Sequence, residues 1–241
     1  RWRFDTGEPV DSSPAVVGTR VYVASENEHL YALDRATGEE AWRFVLSNRS
    51  RGSVGTRSPT VEGDTVYFSS ADGSVYAIEA DSGTQRWQAL SFWQRTVPAV
   101  DDGVFYVGGD SDELHALDIR TGSARWSTQL TGTTGIIQPV TVANGRLYAM
   151  DALSGLHSVN PSDGTVEWAY TPSDRFVVSP AVAADTLVFG SDSGTLYAVG
   201  VDGAERWRVR TEGRIVSSAA TTPQSVFVGN DTGDLLCLDH A

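Results

Sequence analysis

The side chains best suited to chemistry in this 241-residue sequence are arginines gathered in four segments, 45–58, 89–97, 170–179 and 209–218. Arg49, Arg51 and Arg57 fall in the first, Arg95 in the second, Arg175 in the third, and Arg210 and Arg214 in the fourth. A guanidinium is a planar fork of donors that grips a carboxylate or phosphate through two bonds at once. Aromatic rings accompany it: Phe92 and Trp93 precede Arg95 in "SFWQR", and Phe176 follows Arg175. Arginine and aromatic side chains are enriched where proteins meet. The expected ligand is a protein partner or a small anion, held by Arg49, Arg51, Arg57, Phe92, Trp93, Arg95, Arg175, Phe176 and Arg214. The competing reading pairs these arginines with neighbouring carboxylates and uses the aromatics to cap a hydrophobic edge.

Other reactive residues read as structural. His115 and His157 stand where Tyr31, Tyr76 and Tyr197 stand elsewhere, and two imidazoles are too few for a closed metal site. Cys237, the single cysteine, fills the slot of Ala32, Ala77, Ala116 and Ala198. It is expected to be a buried small residue and cannot form an internal disulfide. "DSDE" (110–113) lacks the spacing of a calcium loop and reads as a hairpin turn. "NRS" (48–50) and "NDT" (230–232) are glycosylation sequons, relevant only to an exported chain. Phosphate-cradling glycine loops, nucleophile elbows and zinc-protease motifs are absent, so no catalytic or metal-ligating residue is assigned.

These residues are positioned by a repeat. "LYALDRATGEEAW" (30–42) returns as "VYAIEADSGTQRW" (75–87), "LHALDIRTGSARW" (114–126), "LHSVNPSDGTVEW" (156–168) and "LYAVGVDGAERW" (196–207). A further copy begins at "LLCLDHA" (235–241). Upstream of each phrase lie two short apolar runs, such as "PAVV" and "RVYVA", with Asp- and Gly-containing turns between later runs. Runs this short, rich in β-branched and aromatic residues, predict strands and no helix. Four antiparallel strands in about 40 residues predict a β-propeller blade. Trp2, Trp42, Trp87, Trp126, Trp168 and Trp207 mark the period at intervals of 40, 45, 39, 42 and 39 residues. Gly38, Gly83, Gly122, Gly164 and Gly203 each stand four residues before a tryptophan. We expect the glycine to make a tight turn and the indole to dock between neighbouring sheets.

The expected fold is all-β: six four-stranded blades in one domain spanning 1–241, with blades near 12–46, 54–90, 96–130, 137–171, 177–210 and 217–241. The last lacks a fourth strand, which "RWRF" at the N-terminus is expected to supply, removing two exposed sheet edges. A window cut from a seven- or eight-bladed ring would look the same.

The unit "SP-AV…VYV-S-DG-LYALD--TG---W" resembles the pyrroloquinoline quinone (PQQ) repeat family across the whole chain. The family includes quinoprotein dehydrogenases and non-catalytic propellers, among them an outer-membrane assembly lipoprotein and the sensor domains of some bacterial kinases. The resemblance to the enzymes implies PQQ on the propeller axis, a calcium held by Glu, Asn and Asp, an Asp base and often a vicinal disulfide. One cysteine excludes that disulfide, and the insertions carrying the enzymes' active-site residues are not visible. The non-catalytic members are the better match, so no bound cofactor is expected.

Composition narrows the partners. Thirty-one acidic residues against 18 basic ones give a net charge of −13. That balance repels nucleic acid and anionic membrane surfaces. Every basic residue is arginine; the absence of lysine beside abundant Asp resembles the proteins of salt-loving archaea. No apolar run approaches the roughly 18 residues of a membrane span. Met150 is the single methionine and the sequence starts at Arg1, so a longer translation product is expected. The function expected from the sequence is a non-enzymatic binding or scaffold propeller, extracellular or at the cell surface of a halophile.

Overall fold

In the computed structural model, the described residues are 1–45, 58–69, 73–90, 99–109, 113–130, 139–151, 155–176, 178–222 and 224–239. They form 23 strands in six sheets and no helix. The first sheet comprises β1 (Ala15–Val17), β2 (Arg20–Ser25), β3 (His29–Asp34) and β4 (Glu40–Val45) in sequence order. The second comprises β5 (Thr60–Glu62), β6 (Thr65–Ser69), β7 (Ser74–Glu79) and β8 (Gln85–Leu90). The third holds β9 (Ala99–Asp101), β10 (Val104–Gly108), β11 (Glu113–Asp118) and β12 (Ala124–Gln129). The fourth holds β13 (Thr141–Ala143), β14 (Arg146–Met150), β15 (Leu156–Val159) and β16 (Val166–Tyr170). The fifth holds β17 (Ala181–Ala183), β18 (Thr186–Gly190), β19 (Thr195–Gly200) and β20 (Glu205–Arg210). The sixth has three strands, β21 (Ala220–Thr221), β22 (Ser225–Gly229) and β23 (Leu235–Asp239).

Neighbouring strands pair antiparallel through short hairpins. Asn144–Gly145 joins β13 to β14 with φ of +53° and +69°, the left-handed pair that a two-residue hairpin demands. The second and third strands of each full sheet are buried and the fourth is half-exposed, so polarity rises outward across the sheet.

The backbone divides into two compact units, Arg1–Val107 with Leu117–Ala124, and Gly108–Ala116 with Arg125–Ala241. In the first unit, Tyr22, Leu30, Ala32 and Trp42 pack on Val66, Phe68, Tyr76 and Ile78 of the second sheet. A second core joins Tyr67, Ala77 and Trp87 to Phe105, Val107, Leu117 and Ile119. In the second unit, Tyr148, Met150 and Leu156 meet Phe189, Tyr197 and Val199, and Val188, Leu196 and Ala198 meet Val226 and Val228. Each core lies between adjacent sheets, so no sheet buries its faces alone.

One contact set repeats. The indole N–H of Trp2, Trp42, Trp87, Trp126 and Trp168 donates to a carbonyl just past the third strand of a neighbouring sheet. The acceptors are Arg35, Ala80, Ile119, Pro161 and Val201, at 2.8–3.0 Å. The rings lie against Gly38, Gly83, Gly122, Gly164 and Gly203. A β-carbon at Gly83, Gly122 or Gly203 would stand 2.6–2.8 Å from the indole, and all five glycines have positive φ. The sequence placed the glycine in a turn; the structure adds that it also clears room for the preceding repeat's ring.

The structure departs from expectation in two linked places. Arg1–Phe4 adopt no strand, although Trp2 keeps the repeat's docking contact on the first sheet. Cys237 is exposed, not buried. Ala32, Ala77 and Ala198 are covered because Trp42, Trp87 and Trp207 of a fourth strand stand opposite them; among the described residues the sixth sheet has no fourth strand to cover Cys237.

Candidate functional site

Antiparallel order puts the hairpin between the second and third strands at the same sheet end as the segment entering the first strand. That end carries the arginine-bearing connections. Of the residues expected to form the site, Arg49, Arg51, Arg57, Phe92, Trp93 and Arg95 lie outside the described residues. Arg175, Phe176 and Arg214 are described, all in the second unit.

Arg175 and Arg214 are structurally equivalent. The carbonyl of Arg175 accepts the Asp192 amide, and that of Arg214 accepts the Asp231 amide, each at 3.0 Å. Both acceptors belong to the connection and both donors to the hairpin beneath it. The Arg214 amide also donates to Asp231 Oδ1 at 2.7 Å. With their main chains fixed, both guanidiniums point into solvent, and among the described residues neither forms a salt bridge. They are available to an external anion, in a geometry set by the backbone.

Phe176 is removed from the contact surface. It is 1% exposed and packs edge-on against Phe189 and Tyr197, at centroid distances of 4.6 and 5.6 Å. An apolar ring on a connection that crosses its own sheet is drawn into that sheet's core. It fastens the segment that presents Arg175.

Asp174, one residue earlier, does the same through polar contacts. Its Oδ2 accepts from the hydroxyls of Ser193 at 2.5 Å, Tyr197 at 2.9 Å and Ser191 at 3.2 Å. The Ser193 bond, chiefly, holds this carboxyl below the usual carboxylate range against the opposing pull of burial. In the first unit Asn27 plays the equivalent part, its Nδ2 donating to Thr6 O and Tyr31 Oη at 2.7 Å. Sequence reasoning gave Asp174 and Asn27 no role; single hydrophilic residues of a connection or a hairpin carry no periodic signal, and only the fold reveals what they reach.

His157 and His115 are both buried. His157 Nε2 lies 2.7 Å from Asp151 Oδ2, and the Gly155 amide donates to Asp151 Oδ1 at 2.9 Å. His115 Nε2 stands 3.4 Å from Glu113, and burial pushes its pKa down despite that carboxylate. Each imidazole thus has its own acid on its own sheet.

Similarity to known proteins agrees with this architecture. The family profile described as Outer membrane protein assembly factor BamB matches residues 1–92, 91–200 and 173–241. The chain belongs to the BamB family. The Yersinia pestis outer membrane protein assembly factor BamB is 29% identical over 209 residues, covering 82% of this chain and 53% of that protein. The chain therefore spans about half the length of that relative. The crystal structure of BamB from Moraxella catarrhalis superposes with a TM-score of 0.60 at 17% identity, covering 99% of this chain and 87% of that one. A europium-containing methanol dehydrogenase superposes with a TM-score of 0.73 at 17% identity, over 89% of this chain and 53% of that one. Identities this low carry the fold alone: a β-propeller, with the six sheets as its blades.

The fold shared with a methanol dehydrogenase raises the question of PQQ and calcium. Calcium takes six to eight oxygen ligands, several of them carboxylates. Among the described residues no three of His, Cys, Asp and Glu converge, and the carboxylates detailed above are committed to hydroxyls, amides or imidazoles within their own sheets.

Proposed function

We propose that this chain is a non-enzymatic protein-binding propeller, acting outside the cytoplasm at the cell surface or envelope of a halophile. Its partner is a protein or a small anionic ligand held at the sheet ends that carry the connections, with Arg175 and Arg214 as described contacts. The carrying observation is the match of the BamB family along the whole chain, joined to the repeated backbone clamp that holds these two arginines outward. Arg49, Arg51, Arg57, Arg95, Phe92 and Trp93, which lie outside the described residues, are proposed as further contacts by their place in the repeat. The reading includes no cofactor, no nucleic acid and no membrane insertion by these residues; among the described residues no helix is long and apolar enough to cross a bilayer.

The test is affinity capture from an envelope fraction, comparing the native chain with R175E/R214E. The proposal expects one envelope protein retained by the native chain and at least ten-fold less by the variant, whose melting temperature is unchanged because both side chains are exposed. Equal capture by both, or turnover of an alcohol or sugar after addition of PQQ and calcium, overturns it.

A further inference from the structure

Five asparagines occur in the chain, and Asn144 alone is followed by glycine. The carboxamide carbon of an asparagine is open to attack by the backbone nitrogen of the next residue, which closes a cyclic imide. Glycine leaves that nitrogen unshielded because it has no side chain. The structure separates Asn144 from the other described asparagines at this atom. The Glu28 amide, after Asn27, donates to Ser25 O at 3.1 Å, and the Asp231 amide, after Asn230, donates to Arg214 O at 3.0 Å. Pro161, after Asn160, has no amide hydrogen at all. The Gly145 amide has no acceptor among the described residues.

The carboxamides differ as well. The Oδ1 atoms of Asn27, Asn160 and Asn230 accept from the main-chain amides of His29, Ser162 and Asp234 at 2.8–3.1 Å, which ties each into its own turn. Asn144 is held from one side, its Nδ2 donating to Ala184 O of the fifth sheet at 2.7 Å. Asn144 and Gly145 are exposed, and β13, which leads into their hairpin, is three residues long and half-buried. So little burial leaves the hairpin tip free to open locally. The product also has a precedent in this fold. Asp102–Gly103 forms the same two-residue hairpin in the third sheet, with φ of +43° and +71°.

We propose that Asn144 is a site of spontaneous deamidation in the folded protein. The Gly145 nitrogen attacks Asn144 Cγ, and its hydrogen leaves with the carboxamide nitrogen as ammonia. Water then opens the imide at one carbonyl or the other, giving aspartate or isoaspartate, with no oxidant or reductant involved. The new carboxylate cannot donate to Ala184 O, so a tie between the fourth and fifth sheets is exchanged for one more negative charge. This hairpin lies at the opposite sheet end from Arg175 and Arg214, so the modification is independent of the partner-binding role.

The native chain is kept folded at mildly alkaline pH and followed by proteolytic mapping and mass spectrometry, beside a free peptide of residues 141–148. Deamidation is expected to accumulate at Asn144 with first-order kinetics, at least ten-fold faster than at Asn27, Asn160 or Asn230. It is expected to run slower than in the peptide, because the left-handed turn and the Ala184 bond must first yield. Aspartate and isoaspartate are both expected at position 144. Asn144 still intact once the peptide has converted, or a rate within ten-fold of the other three, overturns the proposal; so does aspartate alone, which is the product of direct hydrolysis without the imide. Melting of N144D checks the consequence. A melting temperature below that of the native chain supports the loss of the inter-sheet tie, and an unchanged one overturns it.

Discussion

At Gly122 two constraints meet in one residue. Its φ of +70° disfavours any side chain, and a β-carbon there would stand 2.6 Å from the ring of Trp87. The left-handed conformation costs an L-residue about 1–2 kcal/mol and overpacking about 1–3 kcal/mol more. G122A is therefore expected to lose about 2–5 kcal/mol in chemical denaturation, whereas Gly145→Ala, with open space at its β-carbon, carries only the conformational part. Ala184 is the mirror case: a β-carbon already held at φ +51°. A184G is expected to gain about 1 kcal/mol, read as a higher denaturation midpoint with unchanged slope. The sequence made Gly122 and Trp87 legible because they recur together. Asp174, Asp151 and Asn27 were not legible, since their value comes from what the fold brings to them. Phe176 was misjudged for the same reason: a Phe after an Arg in a polar segment looks exposed until the segment is seen crossing its own sheet.

Within a single sheet, the second shows how charge ties elements together. Arg86 on β8 reaches back to the β5–β6 hairpin, with both terminal nitrogens 2.7 Å from Asp64, and touches Glu79 of β7 at 3.1 Å. The Arg86 hydrogen bonds, above all, draw the Asp64 carboxyl from 3.8 to about 2. A carboxylate acidified on folding contributes stability that is complete above its ordinary value and is lost as pH falls through its folded one. The window is thus between about pH 4 and pH 2. In thermal melts across that range D64N is expected to fall less steeply than the native chain, and the Asp64 carboxyl resonance to titrate near 2. An equally steep decline in both would refute the assignment. Strand identity and order were readable from the repeat, because apolar alternation and turn residues mark each element. The state of Cys237 was not, because its burial depends on a neighbouring strand and not on β23 itself.

Over the whole molecule, a net charge of −13 sets the response to salt. Like charges within a compact fold repel, and the repulsion between exposed groups is screened over about 10 Å at 0.1 M salt and about 3 Å at 1 M. The described basic residues are largely spent in local pairs such as Arg86–Asp64, Arg43–Glu40 and Arg206–Asp202, leaving carboxylates such as Glu62, Asp81, Asp101 and Asp102 in solvent. Sodium chloride should therefore stabilise the fold by relieving repulsion, and a rise in melting temperature of about 5 °C or more is expected between 0.1 and 2 M. Salt also strengthens apolar burial in any protein, so the decisive comparison is with a charge-reduced chain, E62Q/D81N/D101N/D102N. If self-repulsion governs the response, that variant melts higher than the native chain at 0.1 M, and the two converge at 2 M. Parallel curves would place the effect in apolar burial and remove the argument for a brine-adapted protein.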